Sequence, residues 1–400
     1  MRHGFCCLQS ALRMMETPPQ GATTRTTTRE DTMGLLRSVI VGAFCAAASW
    51  IAIGSGQEAK ALSCGGFAYP YCQGSQTQFA GGFAPGVGSG GFGGGSCTAT
   101  RTPIVFVHGN GDSAIGWASP ANTAPSGYAA PGQSVYDYFK AQGYNDCELF
   151  GVTYLDSSER GTPALNYHSS AKYAIIKTFI DKVKLYTGKT QVDVVAHSLG
   201  TSMALATLKT YGNWSSVRRF VNIAGGVRGL NSCLYTGYAN AYATTCGSEN
   251  LFNSSVFGFY PDSGVYGYGN NRWTGAGSSG LRNLPAVGAT VQFYTIGAGQ
   301  QDQIHCSTAA GWSSCAAGPT FTARSNVVAQ INIGAGSTAA AIDMNLSDNL
   351  WTNANGGDTN GVGHFKARNN SATIIHRMLT TTCAGLSCAS AYSFGPKVSY

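Results

Sequence analysis

Short, mainly apolar runs mark the middle of this chain, the first of them without a polar interruption. Ile104-Val-Phe-Val107 follows Pro103, and comparable runs lie at 148–154, 192–196, 220–224 and 290–296. A strand reads this way when both faces of its sheet are covered, as in a parallel sheet between layers of helices. Residues 330–333 form a further strand candidate. Between the runs the period changes: Ala174, Ile175, Phe179, Ile180 and Val183 recur at helical spacing within 169–186, and Gly188 stands where a C-cap belongs. Residues 202–211 and 372–379 read as two more helices. Strands alternating with helices predict an α/β architecture, a mainly parallel sheet with helices on both faces.

Two stretches depart from this pattern. Residues 81–96 are glycine-rich with little helix-forming content, which predicts an irregular surface arm. Residues 233–283 are dense in Tyr, Phe, Gly and Asn without a sustained period, and read as an insertion over the edge of the sheet. The chain has 400 residues, 43% of them apolar, enough to bury a substantial core. Nothing of foldable size lies between Leu62 and the glycine-rich stretch, so a single domain over 62–400 is expected.

The first 61 residues read as an extension and export signal. Arg37 precedes an apolar run over 39–53, and Ala59-Lys60-Ala61 has the small-x-small form of a signal-peptidase site. The run falls short of the roughly 20 residues of a comfortable membrane span. Cleavage after Ala61 would remove Cys6, Cys7 and Cys45, leaving ten of the 13 cysteines. An even set in an oxidising space suggests disulfides. Close-spaced candidates are Cys64 with Cys72, Cys233 with Cys246, Cys306 with Cys315 and Cys383 with Cys388, which leaves Cys97 for Cys147.

Charge narrows the function classes. A formal net charge of +7 with only 11% charged residues, and no basic cluster interleaved with aromatics, argues against nucleic acid as a partner. No pair of cysteines has the spacing of a zinc knuckle, and neither a metal nor an organic cofactor is expected.

The chemistry is carried by Ala196-His-Ser-Leu-Gly200. A serine nucleophile of the α/β-hydrolase fold sits on a sharp strand-to-helix turn, with small residues two before and two after it to relieve crowding. Ala196 and Gly200 meet that need, the run at 192–196 supplies the strand, and residues from 201 onward supply the helix. The loop His108-Gly-Asn-Gly111 follows an early strand, where these enzymes place one backbone donor of the oxyanion hole. Asn110 is the preferred donor, with Gly109 as its rival, and the Leu199 N–H is the second donor. The order in this fold is Ser, acid, His. Asp302 follows the strand at 290–296, whereas Asp262, Asp343, Asp348 and Asp358 lack a strand immediately before them. For the base, His364 stands among small residues in Gly361-Val-Gly-His-Phe365, a setting that suits a mobile imidazole. His305 reads as a loop residue and His376 as part of the closing helix, while His108 and His197 precede the acid.

Longer strings carry a family resemblance. They are Gln76-Thr-Gln-Phe-Ala-Gly-Gly-Phe-Ala-Pro-Gly-Val-Gly88, His108-Gly-Asn-Gly-Asp112, Tyr167-His-Ser-Ser170, the Ser198 elbow, Ala224-Gly-Gly226 and Asn360-Gly-Val-Gly-His-Phe365. Together they resemble the extracellular poly(3-hydroxybutyrate) depolymerases that attack amorphous, native-type granules. The resemblance implies a lipase-like single domain, with Ser198, Asp302 and His364 as nucleophile, acid and base and with Asn110 and Leu199 as oxyanion donors. It departs at Leu199, where that family carries methionine. It further implies that the catalytic domain itself grips an insoluble polyester. Tyr235, Tyr238, Phe257, Phe259, Tyr260, Tyr266, Tyr268 and Trp273 of the aromatic insertion are the candidate surface, and ordinary loop packing is the competing reading for each. No protein partner is implied, and a monomer is expected. A triacylglycerol lipase or carboxylesterase, and a catalytically silent granule-binding protein, are the alternatives.

Overall fold

Apolar runs buried on both faces are what the structure contains. The computed structural model describes residues 72–73, 79, 82–118, 127–163, 166, 168–229, 284, 291–306, 317–334 and 362–400, all within one unit spanning Ala59–Tyr400. Its strands are β1 (Cys72–Gln73), β2 (Gly90–Phe92), β3 (Ile104–Val107), β4 (Leu149–Val152), β5 (Val192–His197), β6 (Val217–Ile223), β7 (Gln292–Gly297), β8 (Val327–Asn332) and β9 (Val398–Ser399). They form one sheet in the order β1-β2-β4-β3-β5-β6-β7-β8-β9. The six strands from β4 to β8 in that order are parallel, and β2 and β9 join the two sides antiparallel.

The helices are α1 (Val135–Ala141), α2 (Ser157–Gly161), α3 (Ser170–Thr187), α4 (Leu199–Tyr211), α5 (Gln303–Cys306), α6 (His364–Asn369) and α7 (Ala372–Thr380). Side chains alternate across a strand, so Val105, Val107, Val194 and Ala196 pack with α3 and α4 on one face. Ile104, Phe106, Val195 and Val221 pack with α1 and α7 on the other. In α3 the buried stripe is Tyr173, Ile176, Phe179, Ile180 and Val183, and Gly188 ends the helix at φ 67°. Ala174 and Ile175 lie only half-buried beside that stripe. Among the described residues, no helix is long and apolar enough to cross a membrane.

Some boundaries differ from expectation. The helix expected from 202 begins at Leu199, because the turn at Ser198 delivers the chain straight into it. The strand candidate at 330–333 starts earlier, at Val327. The larger correction concerns 81–96, expected as a surface arm. Within it β2 pairs with β4, and Phe83 and Phe92 are buried. Its glycines serve close packing: Gly91 has φ +149°, and a Cβ there would run into the carbonyl oxygen of Gly151. Cys97–Cys147 and Cys383–Cys388 are disulfide-bonded as paired above. The other three proposed pairings, the export signal and the aromatic insertion lie outside the described residues.

The order also places the site. From β3 the chain passes to β4 on one side and then to β5 on the other, so a crevice opens where β3 and β5 end, the place where ligands bind in such sheets. His108 and Ser198 are the residues that emerge there.

Candidate active site

Between β5 and α4 stands Ser198 alone. Its backbone sits at φ 53°, ψ −128°, a region non-glycine residues avoid unless their surroundings force them into it. The forcing contacts are visible. The Ser198 N–H donates to the Ile223 carbonyl (2.9 Å), Thr201 N–H donates to the Ser198 carbonyl (3.0 Å), and Thr201 Oγ1 donates to the Ala196 carbonyl (2.9 Å). Ser198 is half-buried while His197 and Leu199 are buried.

The small residues of the elbow have specific neighbours. A Cβ on Gly200 would collide with the carbonyl oxygen of His108 and lie 2.8 Å from that of Val107, and one on Gly109 would lie 3.0 Å from the Ser198 Cβ. The loop after β3 therefore rests directly on the first turn of α4. Leu199 is the first residue of that helix, so its N–H is one the helical ladder leaves open. Asn110 uses its side chain elsewhere: Nδ2 donates to the Pro163 carbonyl (2.8 Å) and Oδ1 accepts from Asn166 Nδ2 (2.6 Å). That anchorage leaves the backbone N–H as the group Asn110 can offer at the crevice.

His108 is a structural part of this loop. It is buried, stacks on Tyr154 with ring centroids 4.4 Å apart, and its Nε2 accepts from the Tyr154 N–H (3.2 Å). Its Nδ1 then donates to the Gly109 carbonyl (2.8 Å). Burial lowers its pKa to about 4, so the ring is neutral near pH 7.

Asp302 and His364, 62 residues apart in sequence, meet in space. Nδ1 of His364 lies 2.9 Å from both carboxylate oxygens of Asp302. Asp302 Oδ1 also accepts the N–H groups of Ile304 (3.0 Å) and His305 (2.9 Å). Burial pushes the Asp302 pKa up, but His364, His305 and these hydrogen bonds outweigh it and hold the carboxyl below its ordinary value. His364 does not hang in a mobile glycine loop as expected. It is the first residue of α6, buried, with Gly363 as N-cap.

Sequence reasoning missed three further contributors. His305 is not a loop residue but part of α5; its Nε2 donates to the Ala224 carbonyl (3.0 Å) and lies 3.9 Å from Asp302 Oδ2. His197, set aside as a base, donates from Nε2 to the carbonyl of His364 (3.0 Å), and burial lowers its pKa well below the ordinary value. Arg368 on α6 pairs with Asp112 of the loop after β3. The adjacency of His197 to Ser198 and the three-residue spacing of His305 from Asp302 were the hints the sequence offered.

Asp302, His305 and His364 offer ligand atoms all within 4.8 Å of one another. Nδ1 of His364 faces the Asp302 carboxylate and Nε2 of His305 faces the Ala224 carbonyl. His376 is half-buried on α7 against Tyr138, Phe139 and Tyr144. The rival aspartates Asp262, Asp343, Asp348 and Asp358 and the aromatic candidates from Tyr235 to Trp273 lie outside the described residues.

Lipase B of Aspergillus fumigatus is similar in structure at 14% identity and a TM-score of 0.32, over 56% of this chain and 42% of that one. The mature form of the Bacillus licheniformis lipase BlEst2 is similar at 14% identity and a TM-score of 0.30, over 52% of this chain and 69% of that one. The esterase RhEst1 of Rhodococcus sp. ECU1013 is similar at 19% identity and a TM-score of 0.21, over 31% and 38%. This chain thus spans less than half the length of the first. The family profile described as Lipase (class 2) matches residues 101–352, more than half of the sequence. With an α/β-hydrolase strand order and a serine elbow at the sheet's carboxyl edge, the chain belongs to the class 2 lipase family.

Proposed function

We propose that Ser198 is the nucleophile of a secreted serine esterase, with His364 as general base, Asp302 as the orienting acid, and the Asn110 and Leu199 N–H groups as the oxyanion hole. One observation carries this reading: a serine held on a strained strand-to-helix turn, at the same sheet edge as a buried carboxylate–imidazole pair at 2.9 Å. With Nδ1 hydrogen-bonded to Asp302, the imidazole presents Nε2 for proton transfer. Ser198 attacks the ester carbonyl as His364 takes its proton. The tetrahedral oxyanion is held by the two backbone donors, and the alcohol leaves with the proton from His364. Water, activated by the same imidazole, then releases the acid from the acyl-enzyme.

The substrate proposed is poly(3-hydroxybutyrate) in its amorphous form, cleaved to 3-hydroxybutyrate oligomers and monomer. Support comes from the sequence strings shared with that family of depolymerases. Polymer contact is assigned to the aromatic stretch, chiefly Tyr235, Tyr238, Phe257, Tyr260, Tyr266 and Trp273. Secretion is supported by the two disulfides. Family membership favours a second reading, a triacylglycerol lipase or carboxylesterase. Clearing of amorphous polymer granules, run beside triolein and p-nitrophenyl ester hydrolysis with wild type and Ser198→Ala, separates these. Granule clearing lost in Ser198→Ala is the expected result. Triolein hydrolysis without clearing would move the assignment to lipase, and full activity of Ser198→Ala would overturn the nucleophile.

A further inference from the structure

We propose that the Asp112–Arg368 ion pair is a positioning device that locks the oxyanion loop to the helix carrying His364. The inference rests on the assignment of Ser198, His364 and Asn110 above. Catalysis needs three separately built pieces in register: the elbow at Ser198, the loop 108–112 with its donor, and α6 with the imidazole. Two sides of this triangle run through the elbow. The loop sits on the elbow through Gly109 and Gly200, and the elbow holds α6 through the hydrogen bond from His197 to the His364 carbonyl. Asp112 and Arg368 close the third side.

The pair joins residues 256 apart in sequence. Asp112 lies two residues beyond Asn110, and Arg368 lies one helical turn beyond His364, on the same side of α6. The guanidinium is only 4% exposed and the carboxylate 21%. Around them the fit is close. Arg368 Nε donates to Asn369 Oδ1 (2.8 Å), and the guanidinium lies 5.8 Å from the ring of Trp117. Asp112 Oδ1 accepts the Ser113 N–H (2.7 Å). A Cβ on Gly116 would lie 2.5 Å from Asp112 Oδ2 and 2.7 Å from Arg368 Nη1, so that glycine leaves room for the pair. Burying a guanidinium costs heavily unless it is well paired, and weak net stability from such pairs is the rule. What this pair supplies is geometry, because an oxyanion donor acts only within about 2.7–3.1 Å of the developing charge.

The test uses the whole secreted chain with Arg368→Gln, Arg368→Lys and Asp112→Asn. It measures kcat and KM on p-nitrophenyl butyrate, the inhibition constant of phenylboronic acid, which forms a tetrahedral adduct on a serine nucleophile, and thermal unfolding. Arg368→Gln is expected to lower kcat about ten- to hundredfold, the scale of small misplacements, with KM within about twofold. The boronic acid constant should weaken by the same factor as kcat, and Arg368→Lys should recover part of both. Asp112→Asn, on the more exposed partner, carries the same expectation if Arg368→Gln does not fold. Unchanged kcat and boronic acid affinity in a folded variant would overturn the proposal, even with a lowered unfolding temperature, since that pattern marks a purely structural pair. Ser198→Ala in the same series separates the two levels. Activity in Ser198→Ala sinks the nucleophile assignment, whereas an inactive Ser198→Ala beside a full-rate Arg368→Gln sinks only the positioning role.

Discussion

Replacing Gly200 by alanine sets two effects of opposite sign against each other. Gly200 is the second residue of α4, and alanine is the better helix former by up to about 1 kcal/mol. Against this, the added Cβ would strike the His108 carbonyl oxygen and sit 2.8 Å from that of Val107 and 3.0 Å from the His108 carbonyl carbon. These are backbone atoms at the end of a central strand, so no side-chain rotation relieves them. Overpacking of this kind costs about 1–3 kcal/mol, which outweighs the helical gain. The expected fall in unfolding temperature is a few degrees, at about 2–4 °C per kcal/mol for a domain of roughly 150–250 residues and somewhat less in a larger one. The rate should suffer more. The collision pushes away the loop that carries the proposed donor Asn110, and loss of one oxyanion donor costs about 10²–10³ in kcat. Calorimetry together with p-nitrophenyl butyrate hydrolysis well below the transition gives both quantities. An alanine variant with equal or higher stability and kcat within about twofold of wild type would refute the seating of the loop on the elbow helix.

Three further outcomes are expected. Asp302→Asn should fold yet lose about 10⁴ in kcat, because an amide no longer fixes the His364 tautomer; a loss under about tenfold in steady-state assays would remove Asp302 as the acid. Lowering the pH should destabilise the fold through the buried histidines, His108 at about 4 and His168 at about 3. As their folded pKa values lie below the unfolded 6.5, the unfolded chain binds protons first, so stability is full above about 6.5 and is lost toward pH 4 and 3, with up to about 3 kcal/mol from His108. Equal urea midpoints at pH 7 and pH 4.5 would contradict this. Gly91→Ala should cost about 1–3 kcal/mol in urea unfolding, because its Cβ would meet the Gly151 carbonyl, and an unchanged midpoint would argue against β2 as a strand of the sheet.

Local pattern carried much of the fold and singled out the candidates at the centre of the proposed site. Uninterrupted apolar runs such as Ile104–Val107 have one comfortable place, a strand covered on both faces. Ser198 was legible because its strand, its helix and its small neighbours are contiguous in the chain. Asp302 stood out as the candidate acid because it follows a strand and precedes a histidine in the order this fold requires, and the structure places it against His364. What failed was 81–96, since glycine reads as looseness in sequence. Gly91 and Gly93 instead allow β2 to approach β4, where Cβ atoms would strike Gly151 and the ring of Phe150. The partners of the site were illegible for another reason. His197 reaching the His364 carbonyl spans 167 residues, and Asp112 meeting Arg368 spans 256. Neither contact leaves a periodicity or a spacing to read.

By itself, then, the sequence determined which elements form and which residue types could do the chemistry, since backbone propensity, strand burial and the needs of a nucleophile elbow act within a few residues. Only the tertiary structure decided how those pieces are held in register. Through-space hydrogen bonds and the close approach of Gly109 and Gly200 tie Ser198, Asp302, His364 and the loop after β3 together, with the partly buried Asp112–Arg368 pair joining that loop to α6, and such contacts exist only once the sheet has brought distant segments to one edge.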